Sequence, residues 1–356
     1  MKTMSMEKIR VGVIGAGANT CTYHIPNLKA QKNVEIVSVA NRTRASGKKV
    51  AKTFDIPHVA ESWEDIVYDD QIDAVCIGTW PNMHAPLSIA ALASGKHVLC
   101  EARMAMNSME AHAMFEASRM HPDLVAQVVP APHTLEFDRT IIDLISKGYI
   151  GDLITIDVRI AEGSDFPNWE RVANWRQDRD LSGNNIMFIG IWYEIVMRWV
   201  GPARTVQALA QNVVRHRKRQ DGTRTAMTIP DHVDVICAME QGGQMRMSVS
   251  NVVGHFPATD IHICGSEGTI RLTDESGRLE LYGGRRRNRG LTPVKIPVNR
   301  KGRWRVEEEF VNAIRGRETV THTDFATGVK YMEWTDAVTR AARTGALVHL
   351  PLEIEY

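Results

Sequence analysis

The chain has 356 residues, 44% of them hydrophobic, which is enough to bury a sizeable core and to form two domains of ordinary size. Its 43 basic and 42 acidic residues nearly cancel, so no overall field attracts nucleic acid or an anionic membrane. The N-terminal MKTMSMEK is polar, and no stretch reaches the length of a transmembrane helix. We therefore expect a cytoplasmic protein that recognises its partners at local sites.

Short apolar, β-branched runs alternate with helical periods over residues 1–130. The runs are IRVGVIG, VEIVSVA, DAVCIGT, KHVLCEA and LVAQVVP. Strands that alternate with helices form a parallel sheet covered on both faces. This part of the chain is therefore predicted to be a doubly wound, Rossmann-type domain.

Residues 131–356 carry a different pattern. Longer strands with a period of two follow one another between turn signals: LITIDVRIAEG, VDVICAMEQ, QMRMSVSNVV, DIHICGS, GTIRLTD and RLELYGG. Helical periods at 184–200, 303–316 and 324–343 are expected to cover one face of the resulting sheet. The prediction is a second α/β domain with an open, mainly antiparallel sheet.

The five cysteines are scattered through apolar runs, and no Cys or His spacing indicates a metal site or a disulfide framework. We expect reduced core cysteines and no metal.

The segment Gly15-Ala16-Gly17 follows strand RVGVI directly and opens a helix, as a dinucleotide-binding turn does. Small residues there let the backbone approach a pyrophosphate. The third small position holds Thr20 in place of Gly or Ala, so the turn alone is only suggestive. A glycine-rich turn without a nucleotide is the alternative.

The residue that ends the second strand discriminates between cofactors. An acid there binds the ribose hydroxyls of NAD, whereas this chain has Asn41 followed by Arg42. Because a guanidinium group binds a 2′-phosphate in bidentate fashion, NADP is favoured and NAD is the second choice. A solvated, basic helix start is the alternative.

These residues resemble the glucose-fructose oxidoreductase / inositol dehydrogenase / MocA (Gfo/Idh/MocA) family over nearly the whole chain. The resemblance is carried in order by Gly15-Ala16-Gly17 with HIPNL at 24–28, by TWPN at 79–82 with His84, by ASGKHVLCE at 93–101, by GYIG at 148–151, by Trp175-Arg176 with Gly183, by GSEGT at 265–269 and by TGALV at 344–348.

Membership implies a nucleotide-binding domain followed by an α/β domain, and oxidation or reduction of a sugar, cyclitol or related compound with NAD or NADP. It also implies a homodimer or homotetramer through the second sheet. The residues expected to bind the cofactor are Gly15, Gly17, Ala18, Asn19, Asn41, Arg42, Thr79, Trp80, Pro81, Asn82, His84 and Glu101.

The usual catalytic Lys, Asp and His of the family are absent. The family turn Glu-Lys-Pro reads Glu101-Ala102-Arg103 here, and Gly190 fixes a register in which Phe188 and Trp192 replace the Asp and the His. Removing hydride from a carbinol needs a base and a group that stabilises the alkoxide. We also expect a trans Ala102–Arg103 bond, because a non-proline cis bond is costly.

Four side chains are candidates for the missing chemistry. Tyr193 is a possible base if a cation lowers its pKa, with Glu194 beside it, Arg103 as a cation or anion holder, and His133 as the remaining imidazole. Core packing of Tyr193, an ion pair of Glu194 with the arginine four residues later, and a structural His133 are the alternatives.

Two further residues are assigned to the substrate: Arg176 and Trp192, the latter as an aromatic wall or as core packing.

The leading hypothesis is a nicotinamide-dependent oxidoreductase for a small polyhydroxylated or carbonyl compound, with a non-standard acid/base set. A redox-neutral lyase or hydrolase that uses NAD(P), and a non-catalytic nucleotide-binding regulator, remain open. The basic runs at 215–219 and 285–289 are interpreted as solvated loops, with an electrostatic contact between subunits as the alternative, and nucleic acid is not expected as a partner.

Overall fold

The computed structural model describes residues 8–161 and 166–353. The chain divides into two compact units, one up to Pro130 together with Arg305–Val329, the other Ala131–Trp304 together with the residues from Lys330 onward. The chain passes from the first unit to the second after Pro130, and residues 305–329 group with the first unit.

The first unit is built on a parallel sheet of six strands in the order β3-β2-β1-β4-β5-β6, which is the Rossmann order. Its central strand β4 is buried at every position, because helices cover both faces of such a sheet. The strands are β1 Ile9–Ile14, β2 Val34–Ala40, β3 His58–Val59, β4 Ala74–Ile77, β5 His97–Cys100 and β6 Ala126–Val128. The helices are α1 Ile25–Lys29, preceded by a π-helical turn Thr20–His24, α2 Arg44–Phe54, α3 Glu64–Val67, α4 Pro81–Ala93 and α5 Ser108–Met120.

The second unit is built on a sheet of nine strands in the order β16-β15-β14-β13-β7-β12-β11-β8-β17, antiparallel except for the β7–β12 pair. A two-stranded ribbon, β9–β10, stands apart from it. The strands are β7 Leu153–Ala161, β8 Ala203–Gln211, β9 His216–Lys218, β10 Arg224–Ala226, β11 His232–Met239, β12 Gln244–Ser250, β13 Thr259–Gly265, β14 Gly268–Thr273, β15 Glu280–Arg285, β16 Thr292–Pro293 and β17 Val348–His349. The helices of this unit are α6 Leu135–Ser146, α7 Arg179–Ser182 and α8 Ile189–Val200, with 3-10 turns at Trp175–Gln177 and Val298–Arg300. Of the last two helices of the chain, α9 Val306–Ile314 groups with the first unit, and α10 Phe325–Thr344 begins in the first unit and continues into the second.

The core of the second unit lies between one face of this sheet and the helices α8 and α10. The ring of Tyr193 on α8 stacks on that of Trp334 on α10 at a centroid distance of 4.1 Å. The indole Nε1 of Trp334 lies 3.3 Å from the Cys237 sulfur on β11. The opposite face carries alternating polar and exposed positions, as a half-solvated antiparallel sheet does.

The predicted fold class is confirmed, but several elements were not anticipated. The period at 303–316 corresponds to α9, which groups with the first unit. The edge strands β3, β16 and β17 consist of two residues each, too short for a hydrophobic period to reveal.

Parts of two sequence interpretations lie outside the described residues: the end of LITIDVRIAEG after residue 161, and the first seven residues of MKTMSMEK. Within 8–161 and 166–353, no helix is both long and apolar enough to cross a bilayer. All five cysteines are free thiols, with Cys76, Cys100 and Cys237 buried.

Candidate active site

The glycine turn after β1 is closely packed on one side and open on the other. Gly15 has a φ of +83°, and a Cβ there would lie 2.6 Å from Cγ2 and 2.7 Å from the backbone N of Thr79. A Cβ on Gly17 would meet a single atom within 4 Å, the Gly78 oxygen at 3.9 Å. Gly15 is therefore needed for the turn itself, and Gly17 leaves its backbone accessible to a ligand.

The residues after β2 support this turn. The side-chain Oδ1 of Asn41 accepts a hydrogen bond from the Ala16 N–H at 2.7 Å. The guanidinium of Arg42 lies over the Trp80 ring, 5.0 Å from its centroid, whereas Arg44 is engaged in an ion pair with Glu61. Arg42 is thus the exposed cation that remains beside Asn41.

Two polar atoms, one directly after β4 and one in the first turn of α4, are buried with no hydrogen-bond partner among the described residues. They are Thr79 Oγ1 and Asn82 Oδ1. A buried polar group without a partner costs free energy, so such atoms favour a bound polar ligand. Together with the open side of Gly17, they fit a dinucleotide in this unit.

His84, which we had assigned to the cofactor, lies deeper. Its ring is fully buried, with Nδ1 2.8 Å from the Arg103 carbonyl oxygen and Nε2 3.1 Å from that of Thr79. Burial lowers the pKa of this imidazole. His84 therefore connects two backbone segments, and its contribution to a cofactor site is to position them.

Glu101, at the end of β5, is the centre of a buried polar cluster. Its Oε1 accepts from Asn19 Nδ2 at 2.6 Å and from His24 Nε2 at 2.9 Å, and its Oε2 accepts from the Ala102 N–H at 3.0 Å. Burial alone would raise the pKa of the carboxyl, but these hydrogen bonds and the charge of His24 lower it below its ordinary value. The carboxylate is held ionised and fixed.

His24 joins Glu101 to a second carboxylate, Glu307 on α9. Its Nδ1 lies 2.6 Å from Glu307 Oε1, and Asn27 Nδ2 donates to Glu307 Oε2 at 3.1 Å. Burial alone would lower the pKa of His24, but its bonds to both carboxylates and their charges raise it to about 9. The ring is an imidazolium at neutral pH and donates to both. Sequence reasoning missed this pair because its members are 283 residues apart.

The Ala102–Arg103 peptide bond is cis, so the expectation of a trans bond is wrong. That expectation used only the local preference of a non-proline bond. In the folded unit the Arg103 residue is buried and its carbonyl is bound by His84, so tertiary contacts decide the geometry.

Tyr193 is a core residue, which was its alternative interpretation. Its side chain is fully buried against Trp334, and its hydroxyl oxygen accepts from the Ala203 N–H at 2.8 Å. Burial raises the pKa of the phenol well above its ordinary value.

Glu194 forms the ion pair that was its alternative interpretation. Arg198 Nη2 donates to its Oε1 at 3.0 Å, and the Ala131 N–H donates to the same oxygen at 3.2 Å. Arg198 also pairs with Asp138 on α6. This buried network joins α6, α8 and the residues before His133, so Glu194 has a structural position.

The two aromatic replacements, Phe188 directly before α8 and Trp192 on α8, each contact a candidate residue. The His133 ring is exposed and stacks on Trp192 at a centroid distance of 5.1 Å, with 13° between the planes. The guanidinium of Arg176 lies 4.3 Å from the Trp175 ring centroid and 5.5 Å from that of Phe188. The second unit therefore brings four of the predicted positions into two aromatic contacts.

Comparison with known proteins decides the family. Residues 9–128 match the oxidoreductase family with an NAD-binding Rossmann fold, and residues 139–271 match the GFO/IDH/MocA C-terminal domain. The glucose-fructose oxidoreductase domain-containing protein 2 of Xenopus laevis is 33% identical over 284 residues, 77% of this chain and 69% of that protein. The chain belongs to the Gfo/Idh/MocA oxidoreductase family.

Solved structures share the Gfo/Idh/MocA fold along the whole chain. Levoglucosan dehydrogenase in complex with NADH and levoglucosan matches with a TM-score of 0.81 and 21% identity, over 97% of this chain and 100% of that one. The WlbA dehydrogenase from Bordetella pertussis in complex with NADH and UDP-GlcNAcA matches with a TM-score of 0.79 and 19% identity, over 98% and 100%. At this identity the likeness concerns the fold, and the expectation of an enzyme of the NAD-binding oxidoreductase class is confirmed at the level of the family.

Proposed function

We propose that the chain is a nicotinamide-dependent oxidoreductase acting on a small polyhydroxylated or carbonyl compound of the sugar, cyclitol or dihydrodiol type. The observation that carries the proposal is the local structure of the Rossmann turn, where Gly15 packs on Thr79. Two buried polar atoms there, Thr79 Oγ1 and Asn82 Oδ1, have no hydrogen-bond partner among the described residues. The sugars bound by levoglucosan dehydrogenase, levoglucosan and L-sorbose, support the substrate class.

NADP is the proposed cofactor, with NAD as second choice. The exposed guanidinium of Arg42 next to Asn41, whose oxygen is already used by Ala16, suits a 2′-phosphate and offers no carboxylate to ribose hydroxyls. When bound, the nicotinamide accepts or donates hydride. The residues proposed to hold the cofactor directly are Gly15, Gly17, Ala18, Asn19, Arg42, Thr79, Trp80, Pro81 and Asn82, with Asn41, His84 and Glu101 positioning them.

His133 is the proposed proton-transfer group. Tyr193 and Glu194 are committed to the core and to an ion-pair network, whereas the His133 imidazole keeps an exposed edge beside Trp192. Partial desolvation lowers its pKa, so the ring is neutral at pH 7 and accepts a proton when a hydroxyl group is oxidised. Arg103 is the proposed cation for a developing alkoxide, through the turn that Glu101 and His84 hold.

The proposal is tested by adding sugars, cyclitols and dihydrodiols with NADP⁺ and following the absorbance of the reduced nicotinamide. A member of this panel should give a rise in absorbance that depends on the protein. Product formation without net reduction would establish redox-neutral chemistry in its place. Tight cofactor binding with no product from any compound would point to a nucleotide-binding regulator.

A further inference from the structure

The segment that carries His133 contains two prolines and reads Pro130-Ala131-Pro132-His133. A proline has no backbone N–H, and its ring fixes its own φ. It also restricts the residue before it to extended conformations. The stretch from Pro130 to Pro132 therefore has little conformational freedom and offers a single N–H donor, that of Ala131, which is fully buried.

Glu194 on α8 binds this donor. Its carboxylate accepts the Ala131 N–H with Oε1 at 3.2 Å and with Oε2 at 3.3 Å. Glu194 is itself only 2% exposed. Because a buried N–H without an acceptor is costly, this interaction fixes where the Ala131 peptide can lie.

Arg198, one turn further along α8, binds the carbonyl of the same residue. Its Nη2 donates to the Ala131 oxygen at 3.3 Å and to Glu194 Oε1 at 3.0 Å. Its Nη1 pairs with Asp138 on α6. A guanidinium group can serve several acceptors at once because its N–H donors are held in a rigid plane. The N–H and the C=O of Ala131 are therefore both bound by side chains of α8.

The residue after His133 is anchored as well. Thr134 is fully buried, and its Oγ1 donates to Asp138 Oδ1 at 2.7 Å. The Trp199 Nε1 on α8 donates to the same oxygen at 2.8 Å, so the Asp138 side chain is held in turn. His133 thus lies between two anchored residues, Ala131 and Thr134, while it is itself exposed.

We propose that Glu194 and Arg198 are positioning residues for His133. By holding Ala131 they keep the imidazole stacked on Trp192, which is only 3% exposed and so provides a fixed surface. The importance of this placement for the reaction rests on the proposed function, in which His133 accepts a proton. A base displaced by about 1 Å can lose roughly 100-fold in rate.

Two substitutions of Glu194 separate placement from charge. Glu194→Asp keeps the charge but is one methylene shorter, so we expect its carboxylate to lose Ala131 while it stays paired with Arg198. Glu194→Gln loses the charge but keeps the length, and its single oxygen can serve both donors, as Oε1 does in the wild type. Placement predicts a change in Glu194→Asp and little change in Glu194→Gln, whereas an effect of the negative charge predicts the reverse.

NMR of the full chain, isotope-labelled at the histidine Cε1 atoms, measures the placement without any substrate. The His133 signal is identified by its loss from His133→Asn, and the stacked Trp192 ring displaces it from the usual position of a histidine. In Glu194→Asp the signal should move towards that usual position. The pKa of His133 read from its titration should rise towards the ordinary value, because desolvation lowers it in the wild type.

Two further variants complete this measurement. Arg198→Lys keeps the charge but replaces the planar fork by a single ammonium, so it should lose the Ala131 oxygen and move the His133 signal in the same direction. Tyr193→Phe is the matched control. It also takes an acceptor on α8 from a buried backbone N–H, that of Ala203, and should leave the His133 signal in place.

Kinetics connect the placement to the reaction. With a compound that the chain turns over, kcat of Glu194→Asp should be about tenfold or more below that of Glu194→Gln, with KM little changed, since a displaced base affects the chemical step. The acidic limb of the pH profile should remain, with its apparent pKa raised towards the ordinary value of a histidine. A loss of stability alone would not move this pKa.

Three results would overturn the inference: an unmoved His133 signal in both Glu194→Asp and Arg198→Lys, a shift in Glu194→Gln as large as in Glu194→Asp, or an equal shift in Tyr193→Phe. The outcome is separable from the proposed function. A signal that moved while turnover stayed unchanged would refute only proton transfer by His133. A loss of turnover in His133→Asn, with an unmoved signal in the Glu194 and Arg198 variants, would refute only the positioning role.

Discussion

His24 Nε2 lies 2.9 Å from Oε1 of Glu101, within the first unit and directly before the Ala102–Arg103 turn. The same ring reaches Glu307 with its other nitrogen, so one imidazolium holds two buried carboxylates. Removing one member of a buried ion pair leaves an uncompensated charge, which is more costly than the pair itself. This arrangement makes the stability of the unit dependent on the charge of His24.

The first prediction concerns this pH dependence. The pKa of His24 is raised from 6.5 to about 9 on folding, so its contribution to the free energy of unfolding is complete below pH 6.5 and is lost as the pH rises through 9. The contribution is roughly 3 kcal/mol by the usual conversion of pKa to free energy. Because folding lowers the pKa of Glu101, its own contribution is present above its ordinary pKa and is lost as the pH falls through the lowered value.

Urea unfolding of the wild-type chain and a His24→Gln variant, repeated across pH, measures this. The variant should be less stable at pH 6, and the difference should shrink towards pH 9. His58→Gln, at an exposed histidine of the same unit, serves as the control and should stay close to the wild type. A constant difference between the two proteins from pH 6 to pH 9 would show that the charge of His24 is not involved.

The second prediction separates a core role for Tyr193 from a catalytic one. Tyr193→Phe removes the oxygen that accepts the Ala203 N–H and leaves that buried donor without a partner, which costs about 1–3 kcal/mol of unfolding free energy. Turnover of the remaining folded protein should be unchanged. Tyr68→Phe, at a tyrosine that is 63% exposed, is the control for stability. A folded Tyr193→Phe protein that lost its turnover would return Tyr193 to the catalytic candidates.

The difference between what the sequence predicted and what it missed has a physical reason. The Gly15 turn and the Rossmann sheet follow from local patterns, namely glycines after a strand and strands that alternate with helices. The roles of Tyr193 and Glu194 do not, because α8 is buried at every position except Arg198 and its period distinguishes no functional face. His24 pairs with Glu307 on α9 because residues 305–329 return to the first unit, and no local sequence pattern predicts that return.

The third prediction concerns His133. If its neutral ring accepts the substrate proton, kcat/KM for oxidation should fall at acidic pH with an apparent pKa below the ordinary 6.5, because desolvation lowers that pKa and the protonated ring is inactive. His133→Asn should lower turnover by about 100-fold or more and abolish this acidic limb. His216→Asn, at an exposed histidine of the same unit, should leave the profile intact. An acidic limb that persisted in His133→Asn would assign the proton transfer to another group.

The fourth prediction concerns assembly through the outer face of the nine-stranded sheet. Leu209 on β8 is 74% exposed and Ile236 on β11 is 52% exposed. Leu209 pairs in register with Asp234, two residues from Ile236 on β11, so both apolar side chains lie on that face. Apolar side chains exposed on a large sheet suit burial against a second copy. Sedimentation should show a dimer or tetramer, and Ile236→Asp should shift it towards the monomer, while Ile142→Asp on α6 should not. A wild-type chain that sedimented as a monomer would contradict the proposed oligomer.

The most direct test of the whole account is a calorimetric titration of NADPH and NADH into the purified chain, repeated with Arg42→Ala. We expect both to bind, NADPH more tightly, and Arg42→Ala to weaken NADPH by about tenfold or more with little effect on NADH, because one guanidinium–phosphate contact is lost. Lys49→Ala, which removes a positive charge from an exposed position on α2, should leave the preference unchanged. Tighter binding of NADH would contradict the interpretation of Asn41 and Arg42, and a chain that bound neither nucleotide would contradict the proposed oxidoreductase.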